Sequence, residues 1–257
     1  MYDLIVIGAG WAGFSAAEYA SKKGLKVALV EKDSLGGTCL NRGCIPTKTL
    51  LNTAKLLSQF KKSAKFGINA ASQSVDLLRL NQRKEEVISY LKSGIEFLIK
   101  SNRIELLDGV ADIEGPGKVR VNDQMLEARY ILIATGSKPM ELPGIKFDGK
   151  KVVSSTELLD IQYVPPKIMI IGGGVIGCEF AEIFACLGSE VEVVELTASL
   201  LPGIDKEAAK KLEVILKKKG VKISLNTDAA KLDFGGYDKV LLGVGRIPDS
   251  DCFKGIG

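Results

Sequence analysis

Two cysteines, Cys39 and Cys44, stand with four residues between them in the segment 36–48, GGTCLNRGCIPTK. The spacing does not suit zinc, whose chelating pairs are usually close together and followed by a second pair. It is also too close for a staple between distant elements. It suits a disulfide that opens and closes. In an unbroken helix the two Cα atoms would lie roughly 8–9 Å apart, from a rise of about 1.5 Å per residue. A disulfide tolerates no more than about 7 Å. Residues 39–44 are therefore expected to be irregular, with the regular helix starting near Pro46, whose missing N–H costs nothing in a first turn. Cys44 would then meet the positive end of that helix, which favours a thiolate. Lys48 lies four residues on and shares the same helical face. It can hold a positive charge beside the sulfur and beside an anionic cofactor. Taken alone, the pair reads equally well as two unrelated thiols near a turn.

Two glycine signatures on either side change the weight of that reading. Residues 3–7, DLIVI, form an apolar run of strand type, followed by Gly8-x-Gly10-x-x-Gly13 and a helical stretch. A second apolar run, KVALV, ends at Glu31. Strand, glycine turn, helix and an acid about twenty residues on make up a dinucleotide fingerprint. The glycines let backbone N–H groups approach a pyrophosphate at the helix N-terminus. Glu31 can accept hydrogen bonds from ribose hydroxyls. The pattern recurs at residues 168–195: IMII, Gly172-x-Gly174-x-x-Gly177, a helix, then VEVVE ending at Glu195. Two such units imply two dinucleotides, the obvious pair being a flavin and a nicotinamide. A carboxylate at Glu195, with no Arg or Lys in the following LTASLL, favours a free 2′-hydroxyl and hence NAD over its 2′-phosphate form. The alternatives are a glycine turn without a ligand and, at Glu195, a plain strand end at the surface.

With these motifs the chain resembles the flavoprotein pyridine nucleotide-disulfide oxidoreductases, and among them the dihydrolipoamide dehydrogenases. Residues 36–48, Ala134-Thr135-Gly136-Ser137, GGGVIGCE at 172–179 and Gly243-Val-Gly245-Arg246-Ile-Pro248 follow that family's order and span nearly the whole chain. The resemblance implies an α/β fold of two Rossmann-like FAD/NAD(P)-binding domains of the three-layer ββα type. A helical hairpin and a β-meander would belong to the first. The expected domains are 1–147 for FAD and the redox disulfide, and 148–257 for NAD. It also implies roles. Cys44 would be the sulfur nearest the flavin and Cys39 the one that exchanges with substrate. Lys48 would lie near the flavin and pair with Glu179. Glu31, Lys32, Gly37, Thr38, Ala111, Thr135 and Gly136 would contact FAD, with Gly8, Gly10 and Gly13 forming its turn. Gly172, Gly174, Gly177, Glu195 and Gly245 would line the NAD site. Electrons would pass between a dihydrolipoamide-type dithiol, the cysteine pair, FAD and NAD. Glutathione-reductase-like or mercuric-reductase-like activity, or a nucleotide-binding role without catalysis, are the alternatives.

The departures are equally specific. The chain contains no histidine, whereas the family supplies one from a C-terminal interface domain as acid–base partner of the exchange thiol. That dimerisation domain and the second flavin-binding segment have no counterpart here. A fragment, or a product completed by a homodimer partner or a separate C-terminal polypeptide, is the expectation, with weak or no turnover alone. The stretch between VKISL and DKVLL is also shorter than the family's meander.

Composition sets the remaining bounds. The 257 residues allow two domains, and the net charge of +4 is mild. Without a basic stripe interleaved with aromatics, nucleic acid is not an expected partner. No apolar run reaches about 18 residues, so no membrane span is expected. The first residues enter a strand directly, which suggests no secretion signal and a cytoplasmic setting. No metal site is expected. Cys178 and Cys186 read as small core residues of one helix. Residues 76–100 place Leu77, Leu80, Val87, Leu91 and Leu98 on a helix-pairing seam, expected to brace a redox helix over 47–65.

Overall fold

The computed structural model describes residues 1–69, 74–250 and 252; the last residues of the second expected domain lie outside them. In chain order the first elements are β1 (Tyr2–Ile7), α1 (Trp11–Lys22), β2 (Val27–Glu31), α2 (Gly37–Arg42), α3 (Cys44–Phe60) and α4 (Leu77–Ser101). Next come β3 (Glu105–Asp108), β4 (Ala111–Gly115), β5 (Lys118–Val121), β6 (Gln124–Ile133), β7 (Ser137–Pro139), β8 (Val152–Val153) and α5 (Ser155–Leu158). The rest are β9 (Lys167–Ile171), α6 (Val175–Leu187), β10 (Glu190–Val194), α7 (Lys206–Lys218), β11 (Lys222–Ser224), β12 (Lys239–Leu242) and β13 (Arg246–Pro248). The chain divides into two compact units. One comprises Met1–Ile45, Glu86–Lys138 and Ile247–Gly257, the other Pro46–Glu85 and Pro139–Arg246.

The first unit is built on the strand order β3-β2-β1-β6-β5-β4. β1 runs parallel to β2 and β6, and β2 parallel to β3, while β4, β5 and β6 form an antiparallel meander. β6 serves both parts: residues 124–127 pair with β5, and residues from Ala128 onward pair with β1. Alternation along β1 explains why its sequence is apolar without interruption. Val6 packs with Phe14, Ala17 and Ala20 of α1 and with Ile95 and Ile99 of α4. Ile5 and Ile7 face the other way, against Val119, Val121 and Leu126 of the meander. A strand covered on both faces cannot carry a polar alternate. The three-layer arrangement expected from the sequence is present.

The second unit holds a parallel sheet ordered β11-β10-β9-β12-β8. Ile168 and Ile170 of β9 pack with Phe180, Ala181 and Phe184 of α6. Met169 and Ile171 face Val240, Leu242, Phe234 and Tyr237. The connection from β11 to β12 contains one short 3-10 turn, Ala229–Lys231, rather than a meander. Its loop is fixed by a polar knot: the Tyr237 hydroxyl donates to Glu192 at 2.6 Å, and Lys222 Nζ and the Ser224 hydroxyl reach the same carboxylate at 2.9 and 3.0 Å.

Three expectations need correction. By contact the chain passes between units at Lys138/Pro139, where the sequence reading set the domain boundary at 147/148, and residues 46–85 group with the second unit. The reason is packing, since Leu50 and Leu80 are buried in the cluster built around Phe180 and Phe184. The helical hairpin is therefore not a feature of the first unit alone. The seam on α4 is also displaced. Its buried line is Leu80, Lys84, Ile88, Ile95 and Ile99, while Leu91 and Leu98 are each 36% exposed. A lysine on the buried stripe concealed it. Lys84 is 3% exposed, and its ammonium donates to the Leu159 carbonyl at 2.8 Å and to Asp160 at 3.1 Å, so the charge is compensated inside. Finally, the redox helix covers 44–60, not 47–65.

The glycines of the second signature separate packing from ligand access. A Cβ at Gly177 would overlap the Gly172 carbonyl oxygen, whereas a Cβ at Gly174 would meet nothing within 4 Å. Gly177→Ala is expected to destabilise the chain by about 2–4 kcal/mol through overpacking against backbone, and Gly174→Ala by less than about 1 kcal/mol. Urea midpoints of the two variants check this; equal midpoints would contradict it.

Candidate functional site

The dithiol is positioned by a broken helix. α2 starts at Gly37 and ends at Arg42, Gly43 takes φ −147° and ψ −116°, and α3 begins at Cys44. Residues 39–42 are thus helical, contrary to the expected irregular segment, and the single break at Gly43 does what irregularity was expected to do. It turns the chain so that the Cys44 thiol lies close enough to Cys39 to influence its titration. Both are free thiols, Cys44 exposed and Cys39 partly so. A Cβ on Gly43 would sit 2.9 Å from the Thr38 carbonyl oxygen and 3.2 Å from the Cys39 Cα. Glycine is the residue that lets the second cysteine close on the first. The sequence reading did not single it out, although its place before Cys44 was the available signal. Desolvation pushes the Cys39 thiol above its ordinary range, and the neighbouring Cys44 thiol adds to this. Cys44 itself opens α3, two residues before the expected start near Pro46, which sits in the first turn. Cys178, by contrast, is 5% exposed and pushed up to about 11, chiefly by burial. It is an inert core thiol.

α2 also lines a cleft of roughly 280 Å³ in the first unit. Gly37, Thr38, Asn41 and Arg42 form one wall, so the helix that carries Cys39 turns another face to the cavity. Of the residues expected to hold FAD, Gly8, Gly10, Glu31, Lys32, Gly37, Thr38, Ala111, Thr135 and Gly136 all line this cleft. Gly13 does not. Its Cβ would overlap the Gly8 carbonyl, so it serves close helix–strand packing. Residues that the sequence reading missed include Asp112, Asp249 and Cys252. Asp249 is tied to the wall three ways. It binds Lys32 Nζ at 3.0 Å, its N–H donates to the Gly136 carbonyl at 3.0 Å, and its carbonyl accepts from the Thr135 hydroxyl at 2.5 Å. No pattern at residue 249 announced this.

The two glycine signatures repeat at atomic level. Gly8 and Gly172 have φ of +102° and +105°, and a side chain at either would overlap a backbone carbonyl, of Ala134 or of Gly243. Glu31 accepts from the Ala9 N–H at 2.7 Å and the Asp33 N–H at 2.9 Å. Glu195 accepts from the Gly173 N–H at 2.6 Å and from the Thr197 N–H and hydroxyl at 2.8 Å each. In both units the acid at the strand end grips the amide between the first two glycines. Glu195 is only 7% exposed, so it is neither the surface strand end of the alternative reading nor a freely presented ribose acceptor. With about four acceptor sites on a carboxylate, one remains for a ligand.

The helix starts test whether dinucleotides fit. α1 and α6 have Gly10 and Gly174 as N-caps, with no side-chain cap. α5 and α7 are capped by Ser154 and Asp205 side chains. The N–H groups of the two glycine turns are thus left for an anion, as are those of α2, whose N-cap Gly36 is also without a side-chain cap. The cleft, the uncapped turn and the Glu31 carboxylate fit an adenine dinucleotide. In the second unit Gly174 is open, Gly245 lies two residues beyond Gly243 at φ +126°, and residues 196–201 add no cation. Lys48 and Glu179 form an ion pair of 2.6 Å in that unit. Among the described residues no cluster suits a metal and no helix is long and apolar enough to cross a membrane.

Comparison with known proteins agrees with this geometry. The family model for pyridine nucleotide-disulphide oxidoreductase matches residues 2–257. Dihydrolipoyl dehydrogenase of Bacillus subtilis is 39% identical over 236 residues, covering 90% of this chain and 52% of the relative. That of Mycoplasma genitalium is 38% identical over 269 residues, covering 98% and 59%. The chain therefore spans a little over half the length of these relatives. Among solved structures, the HOCl-induced flavoprotein disulfide reductase RclA from Escherichia coli superposes with a TM-score of 0.82 at 31% identity, over 98% of this chain and 58% of that one. A parallel-sheet nucleotide-binding fold, a duplicated glycine turn and a dithiol on a broken helix come together with these matches: the chain belongs to the pyridine nucleotide-disulphide oxidoreductase family.

Proposed function

We propose that this chain carries the redox core of a flavin- and NAD-dependent dithiol/disulfide oxidoreductase of the dihydrolipoyl dehydrogenase type. The observation that carries the reading is α2, which lines the cleft of the first unit and bears Cys39 near Cys44. FAD, when bound, would relay two electrons between the cysteine pair and a nicotinamide. The residues do the rest. The first-turn amides of α1 would receive the pyrophosphate, Glu31 a ribose hydroxyl, and Lys32, Thr38 and Thr135 would fix the remainder. Cys44, at the start of α3, is the sulfur assigned to the flavin side, and Cys39 the one that takes the substrate. Lys48, one turn along α3, is held by Glu179. An exposed pair of this kind contributes little to stability; its value here is to fix where the ammonium points.

The substrate class is a dithiol or disulfide, and the two dehydrogenase relatives favour a lipoyl group. No imidazole exists in these 257 residues to serve the exchange thiol, so lipoamide turnover by the purified chain is expected to be at least about 100-fold below that of a histidine-equipped relative, the lower range of a general acid–base contribution. A comparable kcat would contradict this.

The assignment of Cys44 is tested by spectroscopy. Chain reconstituted with FAD and reduced by two electrons is expected to show long-wavelength absorbance from thiolate against oxidised flavin. Cys44→Ser should lack that band in every state, and Cys39→Ser should show it before any reduction, because its Cys44 has no disulfide partner. The opposite pattern would reverse the two roles. The nicotinamide preference follows from Glu195 and the uncharged 196–201 segment. NADH is expected to reduce the bound flavin at least about tenfold more efficiently than NADPH, measured as kcat/KM with a dye acceptor.

A further inference from the structure

The two glycine units differ where the strand-end acid meets the loop after it. In the first unit Glu31 accepts from the backbone N–H groups of Ala9 and Asp33. In the second, the residue two places after the acid is Thr197 instead of Asp33, and it adds a hydroxyl. The Thr197 N–H and hydroxyl both reach Glu195 Oε1, each at 2.8 Å. The other oxygen, Oε2, accepts the Gly173 N–H at 2.6 Å. The backbone around this contact is tied separately. The Leu201 N–H donates to the Gly173 carbonyl at 2.8 Å, the Thr227 N–H to the Glu195 carbonyl at 3.0 Å and the Asn226 N–H to the Thr197 carbonyl at 3.0 Å. The loop therefore keeps its path without the Thr197 hydroxyl, which bears on the carboxylate. The hydroxyl oxygen also lies 2.9 Å from the Ser199 carbonyl, but a hydroxyl carries one proton. Given to Ser199, that proton would leave two lone-pair oxygens 2.8 Å apart beside a negative charge. Given to Glu195 it makes a charge-assisted bond, so the carboxylate holds it.

We propose, building on the nicotinamide reading of this unit given above, that Thr197 is a positioning residue for coenzyme choice. Its hydroxyl anchors Oε1 of Glu195 and thereby fixes the direction in which Oε2 offers its remaining acceptor position to the adenosine ribose. With Oε1 held by two donors and Oε2 tied to Gly173, the carboxylate cannot turn about its own axis without giving up a bond. A ribose 2′-hydroxyl meets a fixed acceptor. A 2′-phosphate brings further negative charge against a carboxylate that cannot swing aside, and residues 196–201 offer no cation to offset it. Without the Thr197 hydroxyl, Oε1 keeps one donor and the carboxylate gains freedom to rotate. The 2′-hydroxyl then loses its fixed partner, and the repulsion felt by a 2′-phosphate softens. Both changes lower the preference for the unphosphorylated coenzyme, and neither requires Thr197 to touch the coenzyme. Asp33 has no hydroxyl to give Glu31, so this device belongs to the second unit.

The full chain, with excess FAD present, is titrated calorimetrically with NAD+ and with NADP+, neither of which can reduce the flavin. Wild type is compared with Thr197→Val, which keeps the shape and the backbone N–H but removes the hydroxyl, and with Thr197→Ser, which restores a hydroxyl. Thr197→Ala repeats the removal with a smaller side chain. Thr197 is exposed, and circular dichroism with thermal midpoints establishes that each variant is folded. The ratio of the two dissociation constants, Kd for NADP+ over Kd for NAD+, is expected to fall about threefold or more in the Val and Ala variants, through weaker NAD+ binding without a matching loss for NADP+. The Ser variant should keep the wild-type ratio. A structural role alone would weaken both nucleotides together and leave the ratio in place. A wild-type chain that binds neither nucleotide, or both equally, would sink the nicotinamide reading and this proposal with it. A wild type that prefers NAD+, beside Val and Ala variants with an unchanged ratio or a Ser variant as impaired as they are, would overturn the proposal alone.

Discussion

The close passage of backbone against backbone at the glycines is the constraint on which the rest depends. Gly13 and Gly177 let a helix lie against the strand-to-helix turn that precedes it, and Gly8 and Gly172 let the same turn lie against the end of a neighbouring strand. Only then do the first amides of α1 and α6 open onto space instead of onto side chains. Gly43 applies the same device to the thiols. Without a Cβ, its backbone can lie against Thr38 and Cys39, and the chain can turn sharply enough to bring Cys44 onto Cys39. A residue with a side chain at any of these points would separate groups whose chemistry depends on contact.

Around these contacts the sequence distributes polarity with little waste. Glu31 and Glu195 end buried strands, yet their carboxylates are satisfied by amides of the turns they face. They hold the loops in shape and keep limited acceptor capacity for a ribose. Lys84 shows the same economy without any part in the chemistry. A buried ammonium is tolerated because a carbonyl and a carboxylate meet it. The Glu192 knot with Tyr237, Lys222 and Ser224 fixes the shortened connection after β11 and lets Phe234 and Tyr237 cover the sheet that a meander would otherwise cover.

Much of this was legible in the sequence because its signals are local. The strand–glycine–helix–acid pattern occurs twice with the same spacing, and both copies form the same turn. Nine of the residues expected at the flavin line one cleft, since each belongs to a motif whose geometry is set within a few residues. What was not legible depends on distant packing. The allocation of residues 46–85 to the second unit follows from Leu50 and Leu80 meeting Phe180 and Phe184, more than a hundred or about a hundred residues later. The stripe on α4 was misread because a lysine sits on it. The ties from Asp249 to Lys32, Thr135 and Gly136 join chain segments that no periodicity relates. The break at Gly43 was foreseen as irregular chain, when one glycine between two helices suffices.

The central claim is that the cysteine pair and the flavin cleft form one redox unit. Anaerobic dithionite titration of the FAD-reconstituted chain, with the pair first oxidised, counts the electrons directly. The account predicts uptake of four electrons per flavin, two by the disulfide and two by the flavin, with the thiolate–flavin absorbance appearing after the first two. Uptake of only two electrons, with simple bleaching of the flavin and no intermediate long-wavelength band, would contradict it.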